Sequence, residues 1–277
     1  MRTNKNSLGA GIFLLLLCLL IGGCIHDSTA EKRDASFLPY VRARVGQVTL
    51  RDFLLARSAM LFRADEFVVT PSSDDSRSGQ STGGVLSFGT AAAIDRRGYF
   101  LTAAHCVAKD PLKLVYLENG QLQARSARVV WRGDVSKKQP DLAILRVSVP
   151  LQNVFSWTSE FTNGDSVAAL GLLFFAHCVK TQCMAGKVLG RAEGSESVLP
   201  HYGRIVHDVP LRRGDSGGPL VSMDGRLIGI NVSFDTSIQW KSLTSEPVSG
   251  TAERPDLDWL KQLIEQDVAT QSGAKPW

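Results

Sequence analysis

No long run of basic residues occurs in this chain of 277 residues, and its formal charge of +4 is mild for the size. That balance does not suggest nucleic-acid binding. No internal repeat is present, which argues against a repeat architecture. Few stretches carry a helical period, so a helix-built fold is not expected either. The longest apolar run, Gly9 to Ile21, is short for a membrane-spanning helix. An A-x-A-like cleavage site after it is missing. What remains is ordinary globular material, 44% hydrophobic and 21% charged, with ample length for a buried core.

Arg2 and Lys5 precede the apolar run, and together they read as a secretory signal over residues 1–23. The run ends in L-L-I-G-G-C, residues 19–24, where small residues before a cysteine resemble the bacterial lipobox. Lipidation of Cys24 is therefore expected, with the acyl chains holding the protein at a membrane surface. A plain membrane anchor and a soluble secreted protein are the alternatives. Ile25, where an aspartate would retain a lipoprotein at the inner membrane, resembles the outer-membrane sorting pattern. The expected location is thus the bacterial cell envelope, on the outer membrane facing the periplasm. Residues 24–50 are polar and mixed in charge at first and read as a tether, leaving residues 51–277 for the folded domain.

Loss of Cys18 with the signal and lipidation of Cys24 would leave Cys106, Cys178 and Cys183. The spacing C-V-K-T-Q-C makes a small Cys178–Cys183 disulfide loop the leading expectation, with free thiols second. His177 beside them adds one imidazole, which falls short of a closed zinc site. No metal and no cofactor are expected. Cys106 lacks an obvious partner and reads as a small buried hydrophobe.

Short strands and tight turns dominate the middle of the chain. S-A-M-L-F-R, residues 58–63, is a first strand, and the Ser-, Asp- and Gly-rich stretch Pro71 to Gly84 reads as a surface loop. Turns at Asp95–Gly98, Asn119-Gly120 and Asp224-Gly225 separate apolar runs, and Asn-Gly is the strongest hairpin signal of the three. Many hairpins argue an all-β antiparallel barrel or sandwich. At the end, Leu257, Leu260, Leu263 and Ile264 recur at helical spacing after Pro255, so a C-terminal helix is expected.

G-D-S-G-G, residues 214–218, is a tight turn that could hold an incidental serine. A serine nucleophile needs a base within reach, and that base needs an orienting partner. His105 ends an apolar run, Y-F-L-T-A-A-H-C, beside two small alanines. Asp141 opens D-L-A-I-L-R-V. Each alone would be a satisfied core histidine or a strand-start acid. In the order His105, Asp141, Ser216 they reproduce the chain order of chymotrypsin-type proteases.

T-A-A-H-C, D-L-A-I-L and G-D-S-G-G-P-L resemble the three signature segments of the trypsin/chymotrypsin superfamily, over residues 58–266. The surroundings, G-T-A-A-A-I-D-R-R-G-Y-F-L-T-A-A-H and M-D-G-R-L-I-G-I-N, are most similar to the bacterial HtrA/Deg protease core, without room for its PDZ domains. The resemblance implies two antiparallel six-stranded β-barrels with a terminal helix that closes the second barrel. It implies a serine endopeptidase acting on protein or peptide substrates, with Ser216 as nucleophile, His105 as base and Asp141 as orienter. The backbone N–H groups of Gly214 and Ser216 would form the oxyanion hole.

The same resemblance puts Pro210 at the floor of the S1 pocket, followed by Leu211. With no carboxylate there, a small or medium apolar P1 residue is expected in place of Arg or Lys. A latent envelope scaffold or chaperone on a protease fold, or an esterase, are the rival readings.

Asp215 departs from the Asn common in the HtrA/Deg family. In zymogen-derived relatives this acid pairs with a released N-terminal amine, but no R-I-V-G-G site occurs here; R-V-G-Q at Arg44 to Gln47 is the nearest echo. A buried carboxylate needs a partner, so an internal one is expected: either an Arg or Lys, with Arg191, Arg212 and Arg213 as candidates, or a set of backbone and side-chain donors.

Overall fold

The computed structural model describes residues 43–63, 89–107, 111–175, 178–191, 203–239 and 244–271. Cys24 and the signal segment, the Pro71 to Gly84 stretch and His177 lie outside the described residues.

The chain enters through a small ribbon, β1 (Arg44–Val45) and β2 (Val48–Thr49), and helix α1 (Leu50–Leu55). From sequence the ribbon and the first residue of α1 belonged to the tether. Val45 and Val48 pair across a turn in which Gly46 has φ +60°, and Leu50 and Leu54 of α1 are fully buried. Thr49 caps α1: its Oγ1 accepts the Asp52 N–H at 3.1 Å and donates to Asp52 Oδ2 at 2.7 Å.

The first barrel closes from β3 (Ser58–Arg63), β4 (Gly89–Asp95), β5 (Tyr99–Ala103), β6 (Leu112–Glu118), β7 (Gln121–Arg132) and β8 (Leu142–Arg146), in the spatial order β3-β4-β5-β8-β7-β6. The second barrel closes from β9 (Ser166–Phe175), β10 (Cys178–Arg191), β11 (Gly203–His207), β12 (Pro219–Ser222), β13 (Leu227–Gln239) and β14 (Thr244–Arg254), in the order β10-β11-β14-β13-β12-β9. Every pairing is antiparallel. Closure leaves no open edge on either sheet. The hairpin turns fall where the sequence put them; Asn119 and Gly120, at φ 53° and 75°, both adopt the positive φ of a type I′ turn.

Side chains alternate faces along a strand. On β9 this splits the core: Val167 and Ala169 fill the second barrel, while Ala168, Leu170 and Leu172 join the larger cluster that reaches into the first. Both barrels are thus sealed against each other by the strands that form them.

The expected Cys178–Cys183 disulfide does not form. Both cysteines lie on the continuous strand β10, opposite Phe175 and Leu170 respectively, and Cys183 is a free thiol. Five residues of extended chain span about 16 Å, whereas bridged cysteines need Cα atoms within about 7 Å. The short spacing signalled a loop only if the chain turned there, and it does not. Cys106 is buried, as expected.

Helix α2 (Leu257–Gln271) follows β14. Asp256 caps it, its Oδ1 accepting the Trp259 N–H at 2.7 Å. The helix docks on the first barrel, not the second that the family resemblance implied. Leu260 and Ile264 enter the larger core, Trp259 meets Trp131 edge-on at 4.8 Å, and Asp267 takes Arg128 at 2.7 Å and the Tyr99 hydroxyl at 2.8 Å. Burial raises the Asp267 carboxyl, but the Arg128 and Tyr99 hydrogen bonds outweigh it and hold the group below the usual carboxylate range. Its contribution is therefore present above the ordinary carboxylate pKa and lost as pH falls through the depressed one. Asp267→Asn is expected to cost about 2 kcal/mol at pH 7 and progressively less towards pH 2, measured by urea denaturation across pH.

Candidate active site

Strand β5 runs fully buried to Ala103, and a single 3-10 turn, Ala104–Cys106, carries His105 out of the sheet. The turn is fixed from outside: Ala104 N–H donates to Asp141 O at 3.0 Å, and Arg132 Nε donates to Ala104 O at 3.0 Å. Asp141 immediately precedes β8, whose Leu142 pairs with Ala103. The β5–β8 ladder therefore brings the two residues together.

Asp141 grips His105 with both oxygens. Oδ1 accepts the His105 backbone N–H at 2.8 Å, and Oδ2 meets Nδ1 at 2.6 Å. This double contact fixes the ring plane and holds a proton on Nδ1, so that Nε2 is the ring position left to exchange a proton outside the pair. The Asp141 carboxylate, and after it the Cys106 thiol, push the His105 imidazole up to about 10.

Ser216 sits on the other barrel, between two successive tight turns before β12. Asp215 N–H reaches Arg212 O at 3.1 Å with Gly214 at φ 96°, and Gly218 N–H reaches Asp215 O at 2.9 Å with Gly217 at φ 83°. Both have the type II form, which requires a positive φ at the third residue and so selects glycine. Among the described residues, the N–H groups of Gly214 and Ser216 have no protein acceptor. Two free donors thus flank the serine, as an oxyanion hole needs.

Thr90, to which nothing in the sequence drew attention, ties this loop to the first barrel. It is fully buried on β4 and all its polar groups are engaged. Its N–H donates to Ser216 O at 2.8 Å, and its Oγ1 donates to Gly214 O at 3.0 Å while accepting the Leu172 N–H at 3.1 Å. Its carbonyl accepts Thr102 Oγ1 at 2.7 Å. Ser216 O also takes a weak contact from Cys106 Sγ at 3.8 Å, so the residue after His105 touches the serine directly. No hydrogen bond joins the Ser216 and His105 side chains among the described residues. Such contacts often tighten only when substrate binds.

Pro210 is half-buried, and Leu211 is buried in the second barrel's core against Gly250. Beneath them His207 is fully buried and neutral: burial pushes it down to about 4, partly opposed by its contact with Asn231 at 3.0 Å.

Asp215 is buried as well, at 4% exposure. Of the three arginines considered from sequence, Arg212 is its partner, through the backbone: the N–H donates to Oδ2 at 2.7 Å. Arg191 instead stacks over Phe161, and Arg213 is exposed. The carboxyl lies against Gly171 of β9, where a Cβ would overlap Oδ1. Burial pushes Asp215 up to about 7, opposed by the Arg212 N–H and charge.

Residues 89–230, just over half of the chain, match the family described as "Trypsin-like peptidase domain". The chain belongs to the trypsin-like peptidase family. Among relatives of this trypsin-like chain, a probable periplasmic serine endoprotease DegP-like of Hahella chejuensis is 31% identical over 54% of the chain and 30% of the relative. The mitochondrial serine protease HTRA2 of Drosophila grimshawi is 27% identical over 79% of the chain and 53% of the relative. The chain thus spans only 30% to 53% of the length of these relatives. The solved structure of the HtrA-type protease AlgW with decapeptide shares the fold, at TM-score 0.56 and 20% identity over 82% of this chain and 75% of that one.

Two substitutions probe the nucleophile loop. Thr90→Val keeps the volume but strips Gly214 O and Leu172 N–H of their partner, and is expected to cost about 1–3 kcal/mol of stability and about 10²-fold in kcat. Denaturation curves beside steady-state kinetics check both. Asp215→Asn keeps an acceptor for Arg212. An acid whose folded pKa is raised loses stability as pH climbs from its ordinary range through about 7, so the asparagine variant should gain on wild type between pH 4 and 7. Its activity should stay within about threefold, whereas Asp215→Ala should lose most of it.

Proposed function

We propose that this trypsin-like chain is a serine endopeptidase of the bacterial cell envelope, working through Ser216, His105 and Asp141. The observation that carries the reading is the two-oxygen grip of Asp141 on His105, next to a serine flanked by two free N–H groups.

In the proposed reaction, Ser216 Oγ attacks the scissile carbonyl and its proton moves to His105 Nε2. The N–H groups of Gly214 and Ser216 hold the oxyanion, and Asp141 stabilises the imidazolium. The tetrahedral intermediate collapses as His105 returns the proton to the leaving amine, giving an acyl-enzyme. Water then attacks the ester, with His105 as base again, and releases the acid and free Ser216.

A peptide substrate is favoured by the likeness to AlgW, a protease solved with a decapeptide. An apolar P1 residue is favoured by Pro210 and Leu211, which offer no carboxylate. The periplasmic DegP-like relatives and the lipobox at Cys24 support an envelope location with a lipid anchor, on the outer membrane facing the periplasm.

A peptide-library digest by the lipid-free protein tests the reading, with Ser216→Ala as control. Cleavage after small or medium apolar residues, lost by about 10⁶-fold in the variant, is the expected result. Dominant cleavage after Arg or Lys would overturn the P1 assignment. Fluorophosphonate labelling of Ser216 without peptide cleavage would favour an esterase, and neither would favour a scaffold.

A further inference from the structure

His207 on β11 and Asn231 on β13 are both completely buried, and no part of the mechanism above uses them. Polar side chains inside a barrel core cost desolvation unless their atoms find partners. Here the partners are specific. The Val209 N–H donates to His207 Nδ1 at 3.2 Å, so that nitrogen carries no proton. The proton of the neutral ring therefore sits on Nε2, which donates to Asn231 Oδ1 at 3.0 Å. Asn231 Nδ2 in turn donates to Pro219 O at 3.5 Å.

The two residues are not neighbours in the sheet. The strand order is β11-β14-β13, so the His207 ring crosses β14 to reach Asn231. It crosses at Gly250, its partner in the ladder, where a Cβ would overlap the ring and crowd Leu211 Cδ1. The strands already have their own backbone ladders, and a side-chain bond over the strand between them adds to neither. Its two ends lie instead at the two ends of one loop. Val209 opens the segment that carries Pro210, Leu211, Gly214 and Ser216. Asn231 closes it, its carbonyl accepting the Gly217 N–H at 2.7 Å and its N–H donating to Gly218 O at 2.9 Å.

We propose that His207 is a positioning residue that acts through Val209 and Asn231, clasping both ends of the nucleophile loop and so setting how far Pro210 and Leu211 stand from Ser216. The inference rests on the serine-peptidase reading of that loop and adds a determinant of its P1 preference. A rigid ring held at both nitrogens is a spacer of fixed length. Its Val209 end governs the side that would receive the P1 side chain, where slack weakens substrate and transition state alike. Its Asn231 end governs the side carrying the nucleophile and the oxyanion donors, where slack costs transition-state stabilisation.

Two amide substitutions in the full chain separate the ends. In His207→Asn the side-chain oxygen takes the place of Nδ1 and keeps Val209, but the side chain is too short for Asn231. In His207→Gln the side-chain nitrogen takes the place of Nε2 and keeps Asn231, but leaves Val209 free. Kinetics on an apolar-P1 peptide, normalised by fluorophosphonate titration of active sites, should show KM raised about tenfold by His207→Gln with kcat within about threefold. His207→Asn should instead lower kcat about tenfold with KM within about threefold. Amide hydrogen exchange gives a readout independent of turnover: Val209 should exchange faster only in His207→Gln, and Gly217 only in His207→Asn. A merely structural histidine would destabilise both variants alike and leave kcat and KM per active site unchanged. That result overturns the proposal, and so does equal exchange at the two amides. Nitrogen-15 NMR of the wild-type imidazole guards against variants that fail to fold. A neutral Nε2–H tautomer at pH 7 supports the clasp, and an Nδ1–H tautomer or a charged ring overturns it. A wild type that neither labels nor cleaves rejects the Ser216 reading, while the exchange pattern still decides the clasp.

Discussion

Thr90 is the residue on which the arrangement turns. In the proposed mechanism the base and its orienting acid belong to the first barrel and the serine to the second, so that chemistry would require two separately closed sheets to stay in register. A hydrophobic seam supplies adhesion but little direction, because apolar contacts are not directional. Thr90 supplies direction: its N–H and Oγ1 hold the carbonyls of Ser216 and Gly214 at 2.8 and 3.0 Å. With those carbonyls turned towards β4, the loop's free N–H groups are left for a substrate oxygen. The same hydroxyl accepts from Leu172 on β9, so one buried side chain joins β4, β9 and the nucleophile loop.

The carboxyl groups around the site share a second trait. Asp141 and Asp215 are each met by a backbone N–H, from His105 and Arg212 in turn. A backbone donor is fixed by the fold and loses no side-chain freedom on pairing, whereas a lysine or arginine brought into the interior costs desolvation and rotamer entropy. The consequence is incomplete neutralisation. Asp215 is driven up to about 7 by burial, while Asp141 has a histidine to share its charge. Asp215, which has no ion pair among the described residues, thus takes up a proton near neutrality.

How much of this could be read from the sequence follows from the range of each interaction. Turns such as Asn119-Gly120 and strands such as Ser58–Arg63 were legible because local residues decide them, and so was the capped C-terminal helix. The three signature segments were legible because their residue types have few other uses in that order. Cys178 and Cys183 misled because spacing says nothing about whether the chain turns between them, and β10 runs straight through. The docking face of α2 and the hold of Thr90 depend on which strand lies opposite, which is set only when the barrels close. A threonine in G-T-A-A-A carries no mark of its partners more than eighty residues away.

Asp215 shows why that difference has functional weight. Judged as a sequence neighbour of Ser216, it called for an internal partner, either an arginine or lysine or a set of backbone and side-chain donors. In the fold its partner is the amide three residues earlier, in the same turn that aims the Gly214 N–H. A carboxyl held by its own turn needs no cleavage event to organise the loop, since donor and acceptor arrive together when the turn forms. Two conditions then suffice for an ordered loop: the glycines at 214 and 217, which permit the positive φ values, and the absence of a Cβ at Gly171, which makes room for the acid. Both are met within the described residues, around the turn that carries the proposed oxyanion donors.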